Sequence, residues 1–100
     1  MTARDHELEL NKSKSTEWIV YVLRCGDGSL YTGIAKDVEL RIAKHNQGTA
    51  SRYTRSRLPV RVVYQEYQDT RGLALKREFA IKAMSRRDKE RLIARVGIGN

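Results

Sequence analysis

Residues 17–35 read EWIVYVLRCGDGSLYTGIA, and this stretch decides the fold. β-Branched and aromatic residues dominate 17–24 and return at 30–35, which is typical of two strands. Between them, Asp27 and Gly28 suit a tight connection, because glycine accepts a positive φ at little cost. The stretch therefore predicts a β-hairpin with two antiparallel strands.

After the hairpin, the chain predicts a helix, a loop and a third strand. Asp37 can cap a helix that ends at Gly48, where glycine suits a left-handed terminal residue. Residues 49–59 (TASRYTRSRLP) hold three arginines among small and polar residues, and the proline discourages helix. They predict an exposed basic loop, followed by a strand over residues 60–68 (VRVVYQEYQ).

Two more helices are predicted towards the C-terminus. Thr70 can cap the first, over residues 71–84, and Ser85 with Asp88 resembles a capping box that starts the second, over 86–96. Apolar contacts of the first helix are expected from four residues: Leu73, Leu75, Phe79 and Ile81.

The predicted fold class is α+β, a small three-stranded antiparallel sheet flanked by helices. One domain is expected over residues 16–96, preceded by a flexible polar tail at 1–15 and followed by a flexible C-terminus at 97–100. Trp18 and Phe79 are expected in its core.

Composition points to an anionic partner. The 100 residues include 20 Lys plus Arg against 12 Asp plus Glu, a formal net charge of +8, which favours nucleic acid. No stretch approaches the roughly 20 apolar residues of a membrane span, so a cytoplasmic protein without membrane contact is expected. Cys25 is the only cysteine, which excludes an intramolecular disulfide and a cysteine-rich zinc site.

Polar residues with chemical potential accumulate on the predicted hairpin and helices. The hairpin brings Tyr21 and Tyr31 onto neighbouring strands, and Gly33 leaves room for a phosphate or another backbone. Arg41 and His45 follow Asp37 at spacings of four, which places them on one side of a helix. Together they supply a base and a cation for phosphoryl transfer.

A carboxylate completes this set. Glu78 lies in the predicted helix over 71–84, among basic residues, and a carboxylate oxygen is a ligand that magnesium prefers. In a basic site it repels phosphate unless a cation bridges the two, which favours a metal-dependent enzyme. The alternative structural reading is an exposed pair with Lys82, four residues further on.

The ordered series resembles the GIY-YIG nucleases. IVY at 19–21 and YTG at 31–33 stand where the two family motifs belong, and AKDVELRIAKH at 35–45 is similar to the helix that bears the family's arginine and often a histidine. Ile19, Val20 and Thr32 depart from the motifs at positions expected to serve backbone and packing. The resemblance covers residues 18–93 and is greatest to small stand-alone bacterial members.

This resemblance implies a metal-dependent endonuclease that hydrolyses DNA phosphodiester bonds, in DNA repair or recombination, with one Mg²⁺ or Mn²⁺ ion. A tyrosine assists deprotonation of water, Arg41 holds the scissile phosphate, and Glu78 binds the ion. Tyr21 is preferred as the base, and Tyr31 stays open. His45 is expected to relay a proton or to orient the phosphate.

Further nucleic-acid contacts are predicted around this site. Arginines beside an aromatic ring suit phosphates and an unpaired base. The predicted substrate-binding residues are Gly33, Lys36, Asn46, Arg52, Tyr53, Arg55 and Arg57. DNA is the favoured partner and RNA stays open.

Two other functions are consistent with the same residues. One is a nucleic-acid-binding module without turnover, which predicts salt-sensitive binding and no cleavage. The other is a subunit that needs a protein partner for target recognition, which predicts little activity until that partner is added.

Overall fold

The structure, a computed structural model, describes residues 17–98. Its fold is α+β, a three-stranded antiparallel sheet with four helices in this part of the chain, which confirms the predicted class. In chain order the elements are β1 (Trp18–Arg24), β2 (Leu30–Ala35), α1 (Val38–Asn46), α2 (Arg52–Arg55), β3 (Arg61–Gln68), α3 (Arg71–Lys82) and α4 (Arg86–Ile98). The predicted tail at 1–15 lies outside the described residues.

The sheet has the order β2-β1-β3, so β1 is the central strand. The predicted hairpin is confirmed, and Gly28 in its turn has a φ of 87°. In its register, Tyr21 of β1 is opposite Gly33 of β2 and Gln65 of β3. An irregularity between Val22 and Leu23 shifts the pairing with β3.

Each face of the sheet has its own hydrophobic core. Val20 and Val22 of β1 face one side, where they pack with Ala74 and Ile81 of α3 and with Leu92 of α4. The alternate residues of β1 face the other side, because successive side chains of a strand point to opposite faces. There Tyr21, Leu23 and Cys25 pack with Ala35, Val38 and Val60, and Ile42 of α1 joins them.

Three predicted helix starts are confirmed by their capping bonds. The side chains of Asp37, Thr70 and Ser85 accept hydrogen bonds from the backbone N–H three residues on, at 3.0, 3.1 and 3.0 Å. Gly48, just beyond α1, has a φ of 82°, as its predicted left-handed conformation requires.

The structure corrects the expected core. Phe79 is 75% exposed, and Leu73 and Leu75 are 43% and 38% exposed. Helix α3 buries the narrow stripe that holds Ala74 and Ile81, and Phe79 falls on its outer side. Trp18 is only half-buried at the margin of the core.

Two segments differ from the predicted boundaries. The basic loop contains one helical turn, α2, because the Ser51 side chain caps the N–H of Thr54 at 3.2 Å. Helix α4 extends through Gly97 and Ile98, beyond the predicted end at Val96. Within the described part of the chain, no helix combines the length and apolar character that a membrane crossing requires.

Ion pairs fasten the helices of one layer to the sheet. Glu90 of α4 accepts hydrogen bonds from Arg24 of β1 at 2.8 and 2.9 Å, and from Arg86 at 2.9 Å. Arg86 also donates to the carbonyl of Gly28 in the hairpin turn, at 2.9 Å. Arg77 of α3 is similarly paired with Glu66 of β3 at 2.8 Å.

Candidate active site

The site begins with a phenol that reaches the edge strand. A Cβ atom at Gly33 would lie only 2.6 Å from the Tyr21 hydroxyl and 2.7 Å from Cζ. The Tyr21 phenol therefore lies over Gly33, in space that a larger residue on β2 would fill. The sequence predicted that a phosphate or another backbone would approach Gly33, whereas in the structure the Tyr21 side chain occupies this space.

A buried imidazole receives this phenol. The Tyr21 hydroxyl lies 3.1 Å from Nε2 of His45, and Nδ1 of His45 lies 2.8 Å from the hydroxyl of Thr54. His45 and Thr54 are fully buried, and Tyr21 is 2% exposed. The three side chains form a continuous hydrogen-bonded chain, called here the Tyr21–His45–Thr54 chain.

The direction of these hydrogen bonds follows from the last member. The Thr54 hydroxyl donates to the carbonyl of Ser51 at 3.4 Å, so it has a lone pair for His45. Nδ1 of His45 then carries the proton and donates to Thr54, which leaves Nε2 as an acceptor. The Tyr21 hydroxyl therefore donates to His45.

The charge states agree with this direction. Burial, and then the charge of Arg41, lowers the pKa of His45, which keeps the imidazole neutral. Burial is also the main cause that raises the pKa of Tyr21, and Tyr31 raises it further. A neutral phenol thus faces a neutral imidazole, as a hydrogen bond from one to the other requires.

Arg41 and Glu78 approach the same phenol from different layers. Arg41, on the exposed side of α1, lowers the pKa of Tyr21, and Glu78 of α3 raises it. Helix α1 and helix α3 pack on opposite faces of the sheet, so Arg41 and Glu78 act on the Tyr21 phenol from different sides. Tyr21 contacts His45, and its pKa responds to Tyr31, Arg41 and Glu78.

Glu78 is the carboxylate that raises the pKa of Tyr21, and it is the predicted metal ligand. Its side chain is 18% exposed and pairs with Lys82 at 3.1 Å, as the structural reading expected. No group of three histidine, cysteine, aspartate or glutamate side chains capable of holding a metal occurs within residues 17–98. A lone carboxylate fits magnesium, which keeps several waters, and does not fit a zinc site.

Tyr31 is the start of an aromatic stack beside the buried chain. Its ring lies 5.2 Å from the His45 ring and stacks on Tyr53 of α2 at 6.0 Å. The Arg57 guanidinium lies 3.9 Å from the centre of the Tyr53 ring and 3.1 Å from the Asp27 carboxylate. Arg57 thus fastens this region to the hairpin turn.

The other predicted substrate-binding residues divide into two groups. The side chains of Lys36, Arg52 and Arg55 are exposed at the surface and available to phosphates. Asn46 is instead engaged by the backbone of Val60, donating to its carbonyl at 3.2 Å and accepting from its N–H at 2.8 Å. It joins the end of α1 to the start of β3.

Sequence reasoning missed Thr54. The residue lies in the segment predicted to be an exposed loop, yet its hydroxyl fixes the proton on His45. The sequence signal for it was the Ser51–Thr54 spacing, because a serine just before a helix can cap the backbone N–H of the residue three positions later.

The chain is similar to a known domain family and to known proteins. The family model of the GIY-YIG catalytic domain matches residues 17–91. A UPF0213 protein of Staphylococcus saprophyticus is 56% identical over 75 residues, which are 75% of this chain and 92% of that protein. A UPF0213 protein of Staphylococcus aureus strain N315 is 55% identical over 74 residues, covering 74% and 90% of the two chains.

A solved structure is also similar. The solution NMR structure of a UPF0213 protein from Bacillus halodurans is 42% identical to this chain, with a TM-score of 0.51. The match covers 78% of this chain and 83% of that one. The region matched by the family model contains all five predicted catalytic residues: Tyr21, Tyr31, Arg41, His45 and Glu78.

Proposed function

This chain belongs to the GIY-YIG family, and on that premise we propose that it is a metal-dependent endonuclease that hydrolyses phosphodiester bonds in DNA. DNA repair or recombination is the proposed setting. The observation that carries the proposal is the Tyr21–His45–Thr54 chain, beside a guanidinium and a carboxylate. A protein that only bound nucleic acid would need no such chain.

The buried chain supports Tyr21 as the group that takes the proton from water. A free phenolate is rare near pH 7, because burial raises the pKa of Tyr21 above its ordinary value of about 10. Tyr21 avoids that state by passing its own proton to Nε2 of His45 while it accepts one from water. Tyr31 has no such hydrogen bond to an imidazole within residues 17–98, which favours Tyr21.

Arg41 and Glu78 serve the charged groups of the reaction. The exposed guanidinium of Arg41 suits the non-bridging oxygens of the scissile phosphate, where negative charge increases in the transition state. Glu78 would hold one Mg²⁺ or Mn²⁺ ion by exchanging its pair with Lys82. When bound, such an ion stabilises charge on the leaving 3′ oxygen.

The test is cleavage of end-labelled duplex, single-stranded and branched DNA with Mg²⁺ or Mn²⁺. Tyr21→Phe removes only the hydroxyl and Glu78→Gln removes only the charge, so both are expected to lower the cleavage rate by about 100-fold or more. Matched controls are Tyr67→Phe on β3 and Glu39→Gln on α1, both exposed and outside the site, which should retain full activity.

Each outcome separates the candidate functions. Metal-dependent cutting lost in Tyr21→Phe and Glu78→Gln, and kept in the controls, supports the proposal. Binding without cutting on every substrate contradicts it and supports a binding module. Cutting that both site variants retain would point to a contaminating nuclease.

A further inference from the structure

A groove extends from Arg41 away from Tyr21, and apart from Arg41 its residues have no part in the proposed chemistry. It has a volume of about 490 Å³, within the usual range of ligand sites. It lies where the start of β1, the end of β2, α1 and the turn after α1 meet. Its lining residues include Trp18, Lys36, Leu40, Arg41, Lys44 and Thr49.

The groove is cationic. The exposed side chains of Lys36, Arg41 and Lys44 line it. Its one carboxylate, Asp37, accepts the backbone N–H of Leu40 at 3.0 Å as the cap of α1. A polyanion is therefore the ligand that this surface complements.

Its aromatic wall is Trp18, the only tryptophan of the chain. The ring is half-buried, with Nζ of Lys36 5.4 Å and the Arg71 guanidinium 5.8 Å from its centre. Both cations are exposed and lie more than 5 Å from the centre of the ring, so their interaction with the ring is weak. Little binding energy is lost when either cation moves from the ring to a phosphate. An aromatic ring among exposed cations is an arrangement suited to binding unpaired nucleotides.

We propose that this groove, called here the Trp18 groove, binds one unpaired nucleotide next to the scissile phosphate, so that the preferred substrate is single-stranded at the cut. The Trp18 ring stacks on the base, while Lys36 and Lys44 pair with the flanking phosphates. Inside a duplex each base is covered on both faces by its neighbours, so next to a scissile phosphate within the strand this contact requires an unpaired nucleotide. The inference rests on the proposed function only for the position of the cut.

Binding tests the Trp18 groove directly, because tryptophan fluorescence can be excited where tyrosine does not absorb. The protein is titrated, without divalent ions so that nothing is cut, with a blunt DNA duplex and with the same duplex carrying a single-stranded overhang. We expect the overhang to quench the fluorescence and the blunt duplex to leave it unchanged. No quenching by the overhang would overturn the proposal.

Variants then measure the contribution of the ring. Trp18→Leu should weaken binding of the overhang substrate about tenfold and leave blunt-duplex binding unchanged, whereas Trp18→Phe should retain most of the affinity. Tyr67→Leu, at an exposed tyrosine that does not line the groove, is the matched control and should bind both substrates normally. Equal losses on both substrates would overturn the proposal.

A third variant leaves the core intact. Lys44 is exposed, so Lys44→Ala preserves the fold, and one lost phosphate contact should reduce the salt slope of overhang binding by about 0.7. An unchanged slope would contradict the proposed phosphate contact.

The two proposals fail separately. Overhang-specific binding that depends on Trp18, without cleavage of any substrate, would support the Trp18 groove and contradict the nuclease. Cleavage that is lost in Tyr21→Phe, without quenching by the overhang or any effect of Trp18→Leu, would support the nuclease and contradict the Trp18 groove.

Discussion

At the scale of single residues, the proposed chemistry depends on the absence of a side chain at Gly33. Gly33 is the residue over which the Tyr21 phenol lies on its way to His45. Its role is therefore steric, because it leaves a central-strand tyrosine free to reach the sheet edge. The same absence explains why β2 tolerates glycine, which weakens strands in general.

Replacing Gly33 tests this steric role. In Gly33→Ala the new methyl would meet the phenol within 3 Å, so Tyr21 must move, and we expect cleavage to fall about 100-fold. Overpacking should also lower the free energy of unfolding by about 1–3 kcal/mol. Gly72→Ala, whose methyl meets only Thr70 at 3.9 Å, is the control for denaturant unfolding and activity. Wild-type rates in Gly33→Ala would exclude the steric role.

The protonation of His45 gives a second residue-scale prediction. Its pKa lies below the ordinary 6.5, chiefly through burial and then through Arg41. In the proposed mechanism neutral His45 accepts the Tyr21 proton, so kcat/KM should stay level from pH 7 down to 6.5 and fall at lower pH, where His45 becomes protonated. The unfolded chain binds the proton more readily there, so stability also decreases as the pH falls below 6.5.

A pH–rate profile and unfolding curves check this prediction. His45→Gln, which cannot accept the proton, should lose most activity and the dependence on pH between 5 and 7. An acid limb that begins above pH 6.5 in the unaltered protein would contradict the lowered pKa.

Sequence reasoning identified these residues by type and order, but not by burial. Arg41 and His45 are one turn apart, so a sequence places them on one side of α1, whereas the structure exposes Arg41 and buries His45 completely. Which of the two faces the core depends on the packing of α1 against the sheet, which is a long-range property. Phe79 differs from expectation for the same reason.

At the scale of elements, local signals predicted nearly every strand and helix. Asp37, Thr70 and Ser85 cap helices by bonds that span three residues, so the sequence alone carries them. The exception is α2, a single turn whose stability comes from burying Thr54 against His45. Isolated turns of that length are unstable, so the Ser51–Thr54 capping spacing alone was too weak a signal to predict α2.

Helix α4 provides the element-scale prediction. The pKa of Glu90 lies at about 2, well below its ordinary 4.5, chiefly because of hydrogen bonds from Arg24 and also because of one from Arg86. This stabilisation is present above pH 4.5 and is lost as the pH falls towards 2. Because the carboxylate is one third exposed, Glu90→Gln should lower the free energy of unfolding by only about 1 kcal/mol at pH 7.

Thermal unfolding of Glu90→Gln and the unaltered protein checks this at several pH values. The difference in Tm should narrow below pH 4. Asp88→Asn, whose exposed pair with Arg91 spans 4.0 Å, is the control and should have a smaller effect. A constant difference at all pH values would exclude the ion pair as its cause.

At the scale of the whole molecule, charge determines how the domain meets its substrate. The net charge of +8 is complementary to the phosphates of nucleic acid, which are the same in every sequence. If the proposed function holds, affinity should therefore come mainly from phosphate contacts, and selectivity from the structure of the DNA.

Salt dependence measures this contribution. Five exposed cations surround the site, namely Lys36, Arg41, Lys44, Arg52 and Arg55, so the logarithm of the duplex binding constant should fall with the logarithm of salt at a slope of about −3 to −5. Arg52→Gln should make the slope shallower by about 0.9, and Arg95→Gln on α4 should not change it. A slope near zero would exclude phosphate contacts as the main source of affinity.

The hairpin register also links loop length to catalysis. Tyr21 is opposite Gly33 in a register that the turn between β1 and β2 helps to set. An inserted residue that slid β2 by one position would bring a residue with a side chain opposite the phenol. Insertions and deletions in that turn should thus be purged during evolution as strictly as substitutions of Tyr21 itself, although no turn residue takes part in the reaction. In protein engineering, the same turn is a poor place for a tag or a fused domain.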